Sequence, residues 1–436
     1  MNRWLVVVGA LLIQLCLGAI YAWSAFTQAL TTPLAKGGVF GFTATQSQTI
    51  FSVELAVFAV VMVLAGRWQA KVGPRLVAFL GGILVGLGYI LASFVGQTFG
   101  AQLLTIGVIA GAGIGLAYVC PITVGIQWFP KQKGMITGIA VAGFGFGALL
   151  WVKLAGPWAN LIKTHGVLGT YRIYGVIFLI AVVIGSIWMV KPKEYAAAAK
   201  GATGPNLPTG ILPGQMLRTP QFYIIWLTFA VGGMAGLMVI GVIGLFIKDA
   251  LTATGMETAR ALVIAGTAMG VFFAIANGLG RLVWGSISDK LGRKTSVIIM
   301  SAIQGVMMLL FYFVLSSSEW PLYFGAALIG FNFGGNFALF PALTADVFGA
   351  VTVGRNYGWV FTSYGVGGIV GPLMAGVFKD MGQGKGVSAW MPAFVIAGVA
   401  LLLVALLMTR LKPVGEGAES AETARAATVG ERRVPA

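Results

Sequence analysis

The chain has 436 residues, of which 58% are hydrophobic and 9% charged, and its mean hydropathy is +0.92. A soluble domain carries about 25% charged residues, so a soluble enzyme or binding module is excluded, and at about 20 residues per span there is room for roughly a dozen membrane helices. The net charge of +16 follows the membrane and excludes a nucleic-acid partner: with Met1 cytoplasmic, nineteen of the 28 Lys and Arg fall in cytoplasmic loops and tails, seven in external loop regions (Arg172, at the outer end of the sixth span, among them) and two, Lys153 and Arg281, well inside spans, in accord with the positive-inside rule.

The first apolar run, Trp4 to Leu30 behind Arg3, is too long for the roughly 7–15-residue core of a signal peptide and reads as an uncleaved helix. In order, the predicted spans are about 4–29, 46–66, 76–97, 101–125, 134–157, 168–190, 221–247, 261–286, 295–316, 321–345, 356–378 and 388–409. Cys16 and Cys120 lie in apolar spans and read as buried structural thiols. Between the sixth and seventh spans, residues 191–220 are rich in Ala, Gly, Pro and Lys, the composition of a linker. The chain therefore divides into an N-terminal six-helix bundle, residues 1–190, a cytoplasmic linker, 191–220, and a C-terminal six-helix bundle, 221–411. Residues 412–436 are polar and Ala- and Glu-rich and read as a disordered cytoplasmic tail.

The halves repeat. Gly66-Arg67-Trp68-Gln69-Ala70-Lys71-Val72-Gly73-Pro74-Arg75 matches the segment from Gly285 to Lys294 at a shift of 219, and Pro121 in the fourth span matches Pro341 in the tenth at 220. A parallel repeat of two six-helix bundles is the mark of a rocking transporter with its site near the midplane between them. Within the eighth span stands Arg281. A guanidinium there costs roughly 2.5–3.5 kcal/mol on insertion scales and normally faces a cavity or a partner. At 1.5 Å per residue it lies about 12 Å from Asp289 at the helix end, and Asn277 is one turn away on the same face. A planar fork beside an amide suits a small carboxylate; the alternative is a structural Arg held by backbone carbonyls or by Glu54.

The loop Gly285-x-x-x-Asp289-Lys290-x-Gly292-Arg293-Lys294, with its degenerate copy at Gly66 to Arg75, resembles the signature of the major facilitator superfamily over nearly the whole chain. A narrower resemblance, to the oxalate/formate antiporter and bacterial monocarboxylate branch, rests on Tyr21-Ala22-Trp23-Ser24, Gly113-Ile114-Gly115-Leu116-Ala117-Tyr118, Gln127-Trp128-Phe129-Pro130, Leu217-Arg218-Thr219-Pro220-Gln221-Phe222, the run from Phe340-Pro341 to Gly349, and Arg355-Asn356-Tyr357-Gly358. The resemblance implies an all-α membrane fold of twelve helices in two pseudo-symmetric bundles, in the inner (plasma) membrane, with both termini cytoplasmic and the chain acting as a monomer. It also implies that Arg281 binds an anion.

Where the oxalate relative has a lysine, this chain has Tyr364, which reaches about the depth of Arg281 and can donate a hydrogen bond without adding charge; packing alone is the other reading. One fixed cation suits a monoanion. Tyr21, Tyr118, Phe144, Phe333 and Phe337 are expected to line the apolar remainder of a small cavity, though each could be plain helix packing. Glu54, an acid well inside the second span, is a candidate for proton coupling against a solvated position at the outer mouth or a pairing with Lys153. Asp289, Arg293 and Asp346 are expected to latch the cytoplasmic gate, with Ala70 and Gln127 replacing both acids in the N-terminal half. No metal-ligand cluster or phosphate-cradling loop is present in the sequence, so neither cofactor nor enzyme chemistry is expected. The reading is a secondary transporter of lactate-like monocarboxylates moving with a proton. An oxalate/formate-type exchanger is the runner-up, and a carboxylate-sensing receptor lacks a signalling domain.

Overall fold

A computed structural model describes residues 2–32, 34–156, 158–199, 210–313, 318–381 and 385–412; among them the regular structure is helical throughout. Helix α1 runs Arg3–Leu17 and continues through a tight turn, Gly18–Ala22, into Trp23–Thr31. Then come α2 (Ala44–Val72), α3 (Pro74–Val95), α4 (Phe99–Trp128), α5 (Lys133–Ala155) and α6 (Leu161–Ser186). The second set is α7 (Pro220–Ala253), α8 (Thr258–Leu291), α9 (Arg293–Phe313), α10 (Glu319–Phe348), α11 (Val353–Met381) and α12 (Met391–Met408). Among the described residues, eleven helices are long and apolar enough to cross a bilayer, and α11, of 29 residues, completes the twelve expected.

Several helices outrun the apolar stretches that announce them, because caps end them rather than hydropathy. Thr43 and Gln46 form a reciprocal capping box that opens α2, and the Thr219 side chain caps α7 ahead of Pro220. At the other end, Gly73 closes α2 with φ 93° and Gly292 closes α8 with φ 84°, a region that only glycine enters freely. These two glycines are repeat mates, so the internal repeat extends to backbone angles.

The pairing of helices repeats as well. In the first half α2 packs on α4, α3 on α4 and α6, and α1 on α5 and α6; in the second, α8 packs on α10, α9 on α10 and α12, and α7 on α11 and α12. Among the described residues the most extensive crossings between the halves are α5 against α8 and its repeat mate α11 against α2, and α5 also touches α10. Of the segment between the halves, Lys193–Ala199 and Pro213–Met216 are short helices, and Asn356 Nδ2 donates to the Ile211 carbonyl at 3.0 Å, which straps the latter part to α11. The middle of the expected linker, 200–209, and the tail beyond 412 lie outside the described residues.

Candidate functional site

The site is set by the α5–α8 crossing. Close approach there requires glycine: a Cβ on Gly138 would run into the backbone carbonyl of Arg281, and one on Gly134 into that of Gly285. Further along, the Gly143-Phe144-Gly145-Phe146-Gly147 run serves two faces. Gly143 and Gly147 lie against Leu11 and Leu15 of α1, while a Cβ on Gly145 would lie 3.4 Å from Arg281 Nε. Upstream of Arg281, α8 contains a widened π-helical turn, Ala268–Phe273, a feature often found beside functional sites.

Arg281 is fully buried. Its Nη1 donates to the Val141 carbonyl on α5 at 2.8 Å, and its Nε donates to Asn277 Oδ1 at 3.2 Å. The guanidinium carbon stands 4.4 Å from the ring centre of Phe337 and 5.8 Å from that of Phe144, so the cation is held between one ring from each half. The phenols of Tyr21, Tyr118, Tyr357 and Tyr364 are near enough to interact with its charge. The partners of Arg281 are thus backbone and amide, and Glu54 is not among them.

The structure brings some of the sequence-derived residues together and sets others apart. Arg281, Tyr21, Tyr118, Tyr364, Phe144 and Phe337 come together: the Tyr21 and Tyr364 hydroxyls are 2.5 Å apart across the halves, Tyr118 packs edge-on to Phe144 at 5.3 Å, and Phe337 lies 5.2 Å from Tyr364. Asn277 is present but engaged at both ends, accepting from Arg281 and donating from Nδ2 to the Gly330 carbonyl at 3.4 Å; it orients the guanidinium. Phe333 stands a layer back, against Gly236, Phe273 and Phe337. The nearby Asn332 accepts from Trp284 Nε1 at 3.0 Å, inside the C-terminal half.

Glu54 is also removed from this cluster. It is fully buried, both carboxylate oxygens lack a hydrogen-bond partner, and it lies near the phenols of Tyr89 and Tyr171, in the interior of the N-terminal half. Neither the solvated mouth nor the pairing with Lys153 is realised.

At the end where α2, α8 and α10 terminate, charged groups join the halves. Asp289 accepts from the backbone N–H of Gly134 at 3.0 Å and of Met135 at 2.7 Å, capping α5 from the opposite half, and pairs with Arg293. Asp346 lies 2.6 Å from Lys133 Nζ and 3.4 Å from Arg293. In the repeat-related corner neutral groups act instead: Gln127 donates to the Ala350 carbonyl at 3.0 Å, and Gln69 donates to Thr123 at 3.1 Å. Sequence reasoning missed Lys133, although a lysine opening a helix opposes the helix dipole and so signals a partner. It also missed the Val141 carbonyl, which has no sequence signature, and Tyr357.

The model of the Major Facilitator Superfamily matches residues 14–276 and 261–434. The chain is 26% identical over 417 residues to an oxalate:formate antiporter of Oxalobacter formigenes, covering 94% of this chain and 92% of the relative. It is 26% identical over 455 residues to apicoplast pyruvate carrier 1 of Toxoplasma gondii, covering 83% and 81%. Among solved structures, the proton:xylose symporter XylE superposes with a TM-score of 0.70 at 14% identity, over 94% of this chain and 96% of that one. With twelve helices, a repeated six-helix unit and this match along nearly its full length, the chain belongs to the major facilitator superfamily and is a multi-pass membrane transporter.

Proposed function

We propose that this transporter carries small lactate-like monocarboxylates by alternating access, most simply in symport with a proton. The observation that carries the reading is Arg281: a fully buried guanidinium at the seam between the halves, whose two hydrogen-bond partners are neutral acceptors. A carboxylate supplies the missing negative charge in a geometry the planar fork recognises. The single Arg balances one charge, and Tyr364 adds a donor in place of a second cation. In this mechanism residues 1–190 and 221–411 rock about the site, and Asp289, Arg293, Asp346 and Lys133 latch the cytoplasmic gate of a monomer in the inner membrane, both termini cytoplasmic.

Glu54 is the proton-coupling group in this reading, because a carboxyl with no cation beside it is least costly to bury as the neutral acid. Similarity to a carrier named for pyruvate supports a monocarboxylate, while similarity to an oxalate:formate antiporter favours anion exchange as the second reading. Uptake of labelled lactate into proteoliposomes, with an imposed pH gradient or with internal anion, tests both. Symport gives gradient-driven uptake into empty vesicles; uptake that requires internal anion supports exchange.

A further inference from the structure

Around Arg281 most polar side-chain atoms already have partners. Asn277 is held at both ends, and the hydroxyls of Tyr21 and Tyr364 are held by each other. Tyr357 on α11 differs: it is fully buried, and its hydroxyl lacks a hydrogen-bond partner. Its ring packs 5.7 Å from Phe361, which in turn lies 5.5 Å from Tyr118 and 5.1 Å from Tyr364. The phenol is also close enough to Tyr118, Arg281 and Tyr21 to interact with them electrostatically. Seven residues before Tyr364, Tyr357 stands about 10 Å along α11 toward the gate, next to Gly358, which packs on Met62 of α2. It therefore forms part of the floor beneath the guanidinium, between the site and the closed seam.

A buried hydroxyl without a partner is uncommon in native structures and costs about 1–3 kcal/mol. A phenol can donate without adding charge, so in an aromatic floor its complement is a neutral oxygen. We infer that Tyr357 is a specificity-determining residue that donates its hydroxyl to the oxygen on carbon 2 of the cargo, making 2-hydroxy and 2-oxo monocarboxylates the preferred class over unsubstituted acids. This rests on the monocarboxylate reading above: the carboxylate docks on Arg281 and the substituent oxygen faces the floor. A site built to hydrogen-bond a substrate oxygen discriminates against an analogue lacking it, because its own donor is then left unpaired.

The test compares lactate with propionate, which has the same carbon chain and charge without the hydroxyl, by competition against labelled lactate or by direct binding to the purified full chain. Wild type is expected to bind lactate more tightly. Tyr357→Phe removes only the unpartnered hydroxyl, so it should lower lactate affinity by roughly threefold to tenfold, leave propionate affinity unchanged and not lower the melting temperature in detergent. Equal losses for both acids, no change for either, or a lowered melting temperature without a change in selectivity would overturn the assignment and make Tyr357 a packing residue. Absence of both acids' binding to wild type would instead overturn the monocarboxylate reading, and this inference with it.

Discussion

Arg281 carries its charge among groups that cannot neutralise it. The Val141 carbonyl and the Asn277 amide oxygen solvate the guanidinium, and the two rings add a cation–π contribution of about 2 kcal/mol or more when desolvated, without supplying a countercharge. Arg281→Ala should therefore abolish carboxylate binding in a folded protein. Arg281→Lys should weaken it by about tenfold to a hundredfold, since the charge stays but the bidentate fork is lost; calorimetry on the purified variants measures both, and unchanged affinity in the alanine variant would remove Arg281 from the site. Charge matching gives a second expectation. A dianion would leave one negative charge desolvated, so wild type should prefer lactate over oxalate. Tyr364→Lys, which also ends the hydroxyl pairing with Tyr21, should reverse that preference in competition binding; oxalate already winning in wild type would favour the exchanger. Much of this cluster could be read from residue type and depth along a helix, as with Arg281, Tyr118 and Tyr364. What escaped was direction. Asn277 was within reach as a donor to cargo, but its amide turns to Arg281 and Gly330, and Phe333 faces Gly236 and not the cation, because i,i+4 spacing fixes a helix face but not which neighbour fills it.

Helices α5 and α8 meet by the same device as α11 and α2. Gly134 meets Gly285 and Gly138 meets the Arg281 backbone; Gly354 meets Gly66 and Gly358 meets Met62. Each contact is the repeat mate of another, so the closed end rests on two equivalent backbone-to-backbone seams. Repeated glycines were visible in the sequence, but which of the 64 form the seam depends on helix rotation, and small residues are common throughout membrane helices. The charges are not equivalent. Asp289 and Asp346 serve one seam, while Gln69 and Gln127 attend the other. Exposed ion pairs contribute only about 0–1 kcal/mol, and Asp346 is half-exposed, so packing should outweigh the latch. Gly138→Leu is accordingly expected to hold the gate open, with a larger effect than Asp346→Asn. Thiol labelling of a single cysteine introduced at Thr137, in a background lacking Cys16 and Cys120, would report the opening; stronger labelling in the Asp346 variant than in the glycine variant would reverse that ranking.

For the molecule as a whole, the contacts that join the halves at the proposed gate also hold the proposed cargo site together. Opening the α5–α8 seam must separate Val141 from Arg281, so an empty carrier would lose one of the two acceptors that solvate its buried cation. In the proposed mechanism a bound carboxylate replaces that acceptor and eases the reorientation, so substrate exchange should be faster than return of the empty protein. Net transport then needs the empty form to return without the proton, and in the proposed mechanism Glu54 takes up the proton with the cargo and releases it before that return. Glu54 lies in α2, the helix that forms the other seam with α11, yet its carboxyl is buried among Tyr89 and Tyr171 of the N-terminal half. A charge appearing there would be desolvated at a cost of several kcal/mol, enough to change how α2 packs against α11. Glu54→Gln fixes the neutral form without changing the shape of the side chain. It should leave lactate–lactate counterflow at equal pH near the wild-type rate while reducing pH-gradient-driven uptake by about tenfold or more, since roughly 1.4 kcal/mol of a barrier is a factor of ten in rate. Both rates measured in the same proteoliposomes separate the two processes. Equal loss in both would make Glu54 a structural residue, and no loss in either would leave the proton to the Arg281–carboxylate pair itself.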